Sequence, residues 1–392
     1  MTPRRVGANL LWLVPGVVGG SEEYTVRLLT AFAEQREEHP DLDLTLFVNR
    51  SLLVAHPDLV AALPTVVAPV PGTNRVVRVG VESTWLVAQA RRRRIEVMHH
   101  MGGTMPPLRP CPGLVTIHDL QPFDMPGHFS PLKRAYIRLV VPPSVRAARV
   151  VVTLTRWTQR DVVRHFDVPA DRLWLVPSGI DLPPLDVDPT GLDATLARHD
   201  LVGHPYFLYP AITYPHKNHA TLVRAFAAVA ARHPEAALVL TGGFGPSEAE
   251  VAHLVADLGL EARVRRPGRV PRAELDALYR RATAVTFASR YEGFGIPVLE
   301  AMSRACPVLA SDVGGLPEVI GDAGVLIAPD DVAGWASAMD RLLDDGARRQ
   351  ALAAAGRVRA EAFPWRASAE SLAALYRAVL EAPRSTGRGR RP

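Results

Sequence analysis

The stretch that decides the fold runs Ala284-Val-Thr-Phe-Ala288, then Arg290-Tyr-Glu-Gly-Phe-Gly-Ile-Pro-Val-Leu-Glu-Ala-Met302. An apolar run stops at a glycine-bearing turn, and a helix-forming segment follows at once. Gly293 and Gly295 let the backbone turn sharply and approach a ligand closely. Pro297 suits the first turn of a helix, where its missing N–H costs nothing. The segment reads as strand, turn, helix, which is one unit of a parallel α/β sheet. The open amides and dipole at that helix start favour an anion such as a diphosphate. Glu292 precedes the turn, and Glu300 lies within the helix. A single G-x-G with solvated acids would be a generic turn. Two carboxylates bracketing it place two acceptors around one ligand, one toward a sugar and one toward a ribose diol.

The same rhythm of apolar run, turn and amphipathic helix extends in both directions. Before the break it predicts strands at Val6–Val14, Leu44–Val48, Thr65–Val70, Glu96–His99, Leu114–His118, Val150–Thr153 and Leu173–Val176. After it come Tyr206–Tyr209, Ala237–Thr241, Arg263–Arg265, Ala284–Ala288, Val308–Ala310 and Gly324–Ala328. The proline- and glycine-rich stretch Asp181–His204 reads as a linker. The expected fold class is α/β, with two Rossmann-like domains facing across a cleft. Residues 1–182 form the first, acceptor-binding domain and 205–362 the second, nucleotide-sugar-binding domain, joined by the linker 183–204. A last helix within 363–382 packs back toward the first domain, and the Arg-rich tail 383–392 reads as disordered. Parallel sheets bind ligands beyond the carboxyl ends of their strands, so both domains present loops to the cleft.

Composition agrees. At 392 residues the chain is too long for one ordinary core. Its 48% hydrophobic and 22% charged residues exclude a disordered chain. No apolar run reaches the ~20 residues that span a bilayer. Met1–Gly20 is broken by Asn9 and Pro15 and reads as a first strand, not a leader. Cys111 and Cys306 are too few for a disulfide framework or a metal cluster and fit the cytoplasm. The net charge of +5 rests on 43 Arg and only two Lys, Lys133 and Lys217. It permits an anionic substrate or a peripheral contact at the inner face of a membrane. Nucleic acid is not an expected partner, because interleaved aromatics and known modules are absent.

Further motifs lie at expected turns. Pro215-His-Lys-Asn-His219 puts one of the two lysines between the first strand and first helix of the second domain. A compact ammonium there suits a phosphate. Gly16-Val-Val-Gly-Gly-Ser-Glu-Glu23 opens a helix after the first strand, and its Gly19 and Gly20 can face phosphate or acceptor. It lacks the G-x-G-x-x-G pattern of a dinucleotide site. His118 follows a strand and can bond a substrate hydroxyl. A zinc site from His99, His100 and His118 lacks any supporting ligand spacing. The pairs Asp41/Asp43 and Asp186/Asp188 read as solvated loop acids, so no metal and no cofactor is expected. Arg91–Arg94 reads as a solvated helix end.

Together these segments resemble the retaining GT-B glycosyltransferases of family four, the group with the E-x7-E motif. The resemblance spans nearly the whole chain. It includes Gly19-Gly20 with Tyr24, Ile117–Pro126, Val176–Asp181, Pro215–Asn218, Gly242-Gly243, Gly268–Val270, Glu292–Glu300, Ser311–Glu318 and Phe363–Trp365. It implies that Glu292 contacts sugar hydroxyls and that the Gly293-Phe294-Gly295-Ile296 amides meet sugar or phosphate. Glu300 would bind the ribose diol, Lys217 the diphosphate, and His118 the transferred sugar or the acceptor. Gly243 and the backbone at Arg269 and Val270 would flank the base. The family usually carries an Arg near the lysine; here Ala211, Ile212 and His216 hold those places, and Arg290 is the substitute. The Pro-x-Lys-Asn form is similar to mannosyltransferases using GDP-mannose. The implied activity is metal-independent hexosyl transfer to a glycan, lipid-linked or small-molecule hydroxyl, in glycan biosynthesis. The alternatives are a sugar-nucleotide epimerase or a non-catalytic nucleotide-sugar-binding protein of the same fold.

Overall fold

The computed structural model describes residues 2–17 and 19–382, so the tail 383–392 lies outside the described residues. Among the described residues, thirteen short strands form two sheets. The first contains β1 (Arg4–Leu10), β2 (Leu42–Val48), β3 (Thr65–Val67), β4 (Val97–His100), β5 (Gly113–Ile117), β6 (Val150–Thr153) and β7 (Leu173–Leu175). The second contains β8 (Tyr206–Pro210), β9 (Ala237–Thr241), β10 (Val264–Gly268), β11 (Ala284–Phe287), β12 (Val308–Ser311) and β13 (Val325–Ile327). The orders are β3-β2-β1-β4-β5-β6-β7 and β10-β9-β8-β11-β12-β13. Every pairing is parallel.

Most of these strands are largely apolar because helices cover both faces; β10, Val-Arg-Arg-Pro-Gly at a sheet edge, is an exception. β5, β9 and β12 are buried along their whole length. Strand order reverses at β1/β4 and again at β8/β11, and such switch points open a crevice at the carboxyl ends. The turns after β1, β5, β8 and β11 carry the residues singled out above.

The proline-rich stretch is not all linker. Pro189–Arg198 is a helix, begun by Pro189 in its first turn and capped by Asp188, whose carboxylate accepts from the Thr190 amide. It packs on the helix Arg272–Arg281, where Arg281 meets Asp193 at 3.0 Å and His199 meets Glu274 at 3.1 Å. The prolines there start a helix that belongs to the second sheet's layer.

The last helix, Trp365–Glu381, lies on the first helix, Gly20–Glu34. Arg377 holds Asp41 through two bonds of 2.7 Å, and the Tyr376 hydroxyl meets His99 at 3.0 Å. The chain thus passes between the two sheets twice. The passing segments touch where the Ile180 amide donates to Phe363 and a Cβ on Gly179 would meet Trp365. Among the described residues, no helix is long and apolar enough to cross a membrane.

Candidate functional site

Two neighbouring turns build the centre. The turn after β8 ends in a short 3-10 segment, Pro215–Lys217, and then Asn218. The buried Tyr209 hydroxyl donates to the Lys217 carbonyl at 2.5 Å, and the Asn218 amide donates to the Pro329 carbonyl at 2.8 Å. The turn after β11 lies alongside, tied by the Arg290 amide to the His216 carbonyl at 2.7 Å. This brings the Lys217 ammonium to 2.5 Å from Glu292 Oε1, with the Phe287 ring 5.2 Å away. Lysine has three donors, so Glu292 uses one and two stay available.

The glycine turn is tight for a reason. A Cβ on Gly293 would sit 2.5 Å from the His118 carbonyl oxygen of the first domain. The Thr155 hydroxyl, also of the first domain, donates to the Gly293 carbonyl at 3.0 Å. Gly295 takes φ 94° as the N-cap of the helix Ile296–Ser303, which has no side-chain cap and no acid in its first turn. Its amides are open to an anion. Across the cleft, Gly20 starts the first helix only 3.6 Å, at its Cβ position, from an Ile296 methyl. Two helix starts therefore face one space.

His118 lies half-buried between Trp12 and Tyr24, at ring separations of 5.8 and 5.4 Å. Its Nε2 donates to the Met101 carbonyl at 2.9 Å, leaving Nδ1 as an acceptor. Burial lowers its pKa to about 4, so the ring is neutral near pH 7. Asp119, beside it, opens onto the cleft. Enclosure by the cleft walls raises its carboxyl, the Gln121 amide lowers it, and the charges of Glu292 and Lys217 add in opposite senses. Cleft water screens part of that rise. Glu300 accepts from the Tyr279 hydroxyl at 3.0 Å. Burial raises its pKa, against the Tyr279 bond and the Arg304 charge. At the far side, the Gly242 amide donates to the Gly268 carbonyl at 2.9 Å, joining the turn of Gly243 to that of Arg269 and Val270.

Other residues raised above have partners of their own. The Arg290 guanidinium pairs at the surface with Asp330 at 2.7 Å. His216 carries no charge, because burial and the Lys217 charge lower its pKa to about 3. A zinc site from His99, His100 and His118 is ruled out by their partners. His99 bonds Thr116 and Tyr376, His100 bonds Asn9, and His118 bonds Met101. Among the described residues, Asp124, Asp161 and His165 do come together, but the Arg164 guanidinium lies 2.6 Å from both carboxylates and neutralises them. Of the Asp-x-Asp residues, Asp41 pairs with Arg377 and Asp188 caps a helix, while Asp43 lies at the amino end of β2, away from the cleft.

The sequence reading missed the clasp between the domains. The Leu120 amide donates to the Tyr291 hydroxyl at 3.0 Å, and that hydroxyl donates to Asp161 at 3.3 Å. Glu318 of the second domain accepts the Arg156 and Trp157 amides at 2.9 and 3.2 Å, capping the helix Arg156–Phe166 of the first. One signal was available. Thr155 is an N-cap with no Glu or Gln three residues on, so that helix start lacks the usual local acid.

Both halves of the chain match glycosyltransferase families. Residues 18–183 match Glycosyltransferase Family 4, and 198–359 match Glycosyl transferases group 1. Each half of the chain is thus similar to a glycosyltransferase family. The O-antigen chain mannosyltransferase B of Escherichia coli is 30% identical over 256 residues, covering 64% of this chain and 66% of that protein. A D-inositol 3-phosphate glycosyltransferase of Kineococcus radiotolerans is 35% identical over 272 residues, covering 63% and 61%. The matches thus span slightly under two thirds of these relatives' own length. HepE of Anabaena, solved with UDP-glucose, superposes with a TM-score of 0.74 at 17% identity, covering 95% of this chain and 99% of that one. That likeness concerns the fold: two parallel-sheet α/β domains in the GT-B arrangement.

Proposed function

We propose that this chain is a glycosyltransferase moving a hexose, mannose from GDP-mannose before other donors, onto an acceptor hydroxyl with retention and without a metal. The observation that carries it is the Lys217–Glu292 contact at an uncapped helix start, set against the His118 turn of the other domain. The mannosyltransferase name of the Escherichia coli relative supports the sugar, and HepE's complex with UDP-glucose supports the donor class.

In this reading the diphosphate sits on the amides after Gly295 and on the free donors of Lys217. Glu300 takes the ribose diol, and the turns at Gly243 and Arg269–Val270 flank the base. Glu292 holds sugar hydroxyls through its remaining acceptor sites, and His118 Nδ1 accepts another hydroxyl. As the bond from the anomeric carbon to the phosphate oxygen breaks, negative charge grows on the diphosphate. Fixed donors aimed at that charge are the largest expected catalytic contribution. The acceptor oxygen attacks from the same face, and its proton passes to the departing phosphate oxygen.

The test is turnover of radiolabelled GDP-mannose and UDP-glucose in EDTA, with the product anomer read by NMR. Release of nucleoside diphosphate with retained configuration is expected. Tight nucleotide binding without turnover of any nucleotide sugar would mark a binding protein instead.

A further inference from the structure

Glu292 is flanked on both sides by bonds to the other domain. Before it, the Tyr291 hydroxyl accepts from the Leu120 amide at 3.0 Å and donates to Asp161 at 3.3 Å. After it, the Gly293 carbonyl accepts from the Thr155 hydroxyl at 3.0 Å. The Glu292 carbonyl itself accepts from the Gly315 amide of its own domain at 2.9 Å. A Cβ on Gly314 would collide with that carbonyl, so the floor beneath the turn is close. A turn outside any sheet ladder or helix takes its position from such bonds.

The Tyr291 ring and its hydroxyl do separate things. The ring is buried and packs edge-on against Trp157, with centres 5.2 Å apart. That contact needs no oxygen. The hydroxyl adds one acceptor and one donor at a single point between the domains. Enclosure first, and then the charges of Asp119 and Asp161, push its pKa up, so it keeps its proton through the neutral range. Leu120 is buried as well, and without the hydroxyl its amide loses its partner away from water. Asp161 is itself held. Its Oδ1 accepts from Arg164 at 2.6 Å, and the same guanidinium reaches Asp124, which also meets His165 at 2.9 Å.

Leu120 comes two residues after His118, and Tyr291 directly precedes Glu292. One hydroxyl therefore joins the two turns whose side chains face the transferred sugar. We infer that Tyr291 is a positioning residue: its hydroxyl fixes the Glu292 carboxylate in register with His118, and makes that register depend on domain closure. The inference rests on the transfer reading and adds a residue to it. The Lys217 contact cannot do this, because Lys217 and Glu292 belong to the same domain and can stay paired with the domains apart. The Leu120 and Asp161 contacts exist only across the interface. A misplacement of about 1 Å in a group that meets substrate costs on the order of 10²-fold in rate, so one such bond is enough to matter. Glu318 joins the domains at a separate point, through the Arg156 and Trp157 amides. Loss of the hydroxyl therefore loosens the turn without parting the domains.

Tyr291→Phe in the full chain tests this, because the ring keeps its seat on Trp157. Amide exchange in the ligand-free chain should speed up at two residues. Leu120 loses its acceptor, and Gly315 reports where the Glu292 carbonyl lies; each should exchange about tenfold faster, the scale of one hydrogen bond. With nucleotide sugar, kcat should fall about tenfold to a hundredfold while GDP affinity stays within about twofold. In a Glu292→Ala background there is no carboxylate left to position. Single turnovers with radiolabelled donor should then show Tyr291→Phe costing less than about threefold. Exchange at Gly315 that matches wild type overturns the inference. So does a loss as large in the Glu292→Ala background as in wild type, or GDP affinity that falls along with kcat. The transfer reading fails separately. A wild-type chain that transfers no sugar from any nucleotide sugar sinks that reading, while exchange at Leu120 and Gly315 still decides whether the hydroxyl fixes the turn.

Discussion

Glu292 and Glu300 are the same side chain in different surroundings, and their chemistry follows from that. Glu300 sits over Tyr279, enclosed, with its carboxyl raised by burial. Such a group is suited to a fixed, neutral partner such as a ribose diol. Glu292 touches an ammonium and faces the space between the domains. It is suited to charge that changes during reaction. Glu300→Gln should therefore weaken free nucleoside diphosphate by roughly 1.5–3 kcal/mol, the range for a charge-assisted bond. Glu292→Gln should lower kcat more than nucleotide affinity. Calorimetry showing the reverse order would exchange the two roles. Lys217 brings a full positive charge to this space beside Glu292, while Arg290 pairs with Asp330 and His216 is neutral. Lys217→Ala should cut turnover about 10²–10³-fold, the usual loss for one such stabiliser. Lys217→Arg should recover only part, because a planar fork does not reproduce a point contact. Activity lost in EDTA and restored by magnesium or manganese would defeat this account and move the charge to a metal.

At the scale of elements, the clasp is the unit to test. Glu318 caps a helix that belongs to the other domain, so one carboxylate serves both a helix start and domain closure. Glu318→Gln removes the charge that the helix start favours, and Glu318→Ala removes the bonds to the Arg156 and Trp157 amides, leaving Thr155 as N-cap. N-cap losses run to about 0.5–2 kcal/mol. The alanine variant should open the unliganded chain, raising its radius of gyration in small-angle scattering, and donor should restore compaction. A radius equal to wild type without ligand would deny the clasp any part in closure. Beyond the missing acid three residues after Thr155, none of this was legible in the chain. The Tyr291–Leu120 bond joins residues 171 positions apart, and Glu318 and Arg156 are 162 apart. Spacing rules see only neighbours within a few turns. The strands were legible because each is a short apolar run closed by Gly, Pro or polar residues. The Lys217 and Glu292 turns were legible because glycine, proline and a rare lysine mark them. The helix Pro189–Arg198 was hidden because proline signals both a break and a beginning.

The whole molecule carries a group of buried neutral histidines, and this sets how it meets acid. Burial lowers His99, His100 and His216 to about 3 and His118 and His219 to about 4, with the Arg109 charge adding at His100. In the unfolded chain each returns to about 6.5. Between the folded values and 6.5 the unfolded chain binds more protons, so stability falls as pH drops through that window. Above 6.5 both states are neutral and the effect vanishes; below about 3 both are charged and it levels off. At pH 5.5 each of the five should cost roughly 1 kcal/mol relative to pH 7.5, at about 1.4 kcal/mol per proton per pH unit. Asp161 works against them. Burial first, and then the Asp124 charge, raise it to about 6, so its protonation stabilises the folded chain between about 4 and 6. One such carboxyl offsets under 1 kcal/mol at pH 5.5 by the same relation. The buried Glu82 and the half-buried Glu300 act in that direction too. Five neutral histidines should outweigh these smaller rises. Urea unfolding at pH 7.5 and 5.5 should show a clear fall in midpoint at the lower pH with an unchanged slope. His100→Asn, which keeps a polar partner for Asn9, should shrink that fall by about a fifth. Equal midpoints at the two pH values would mean that the histidines are charged in the folded chain, and that His118 faces the acceptor as a cation and not as a hydrogen-bond acceptor.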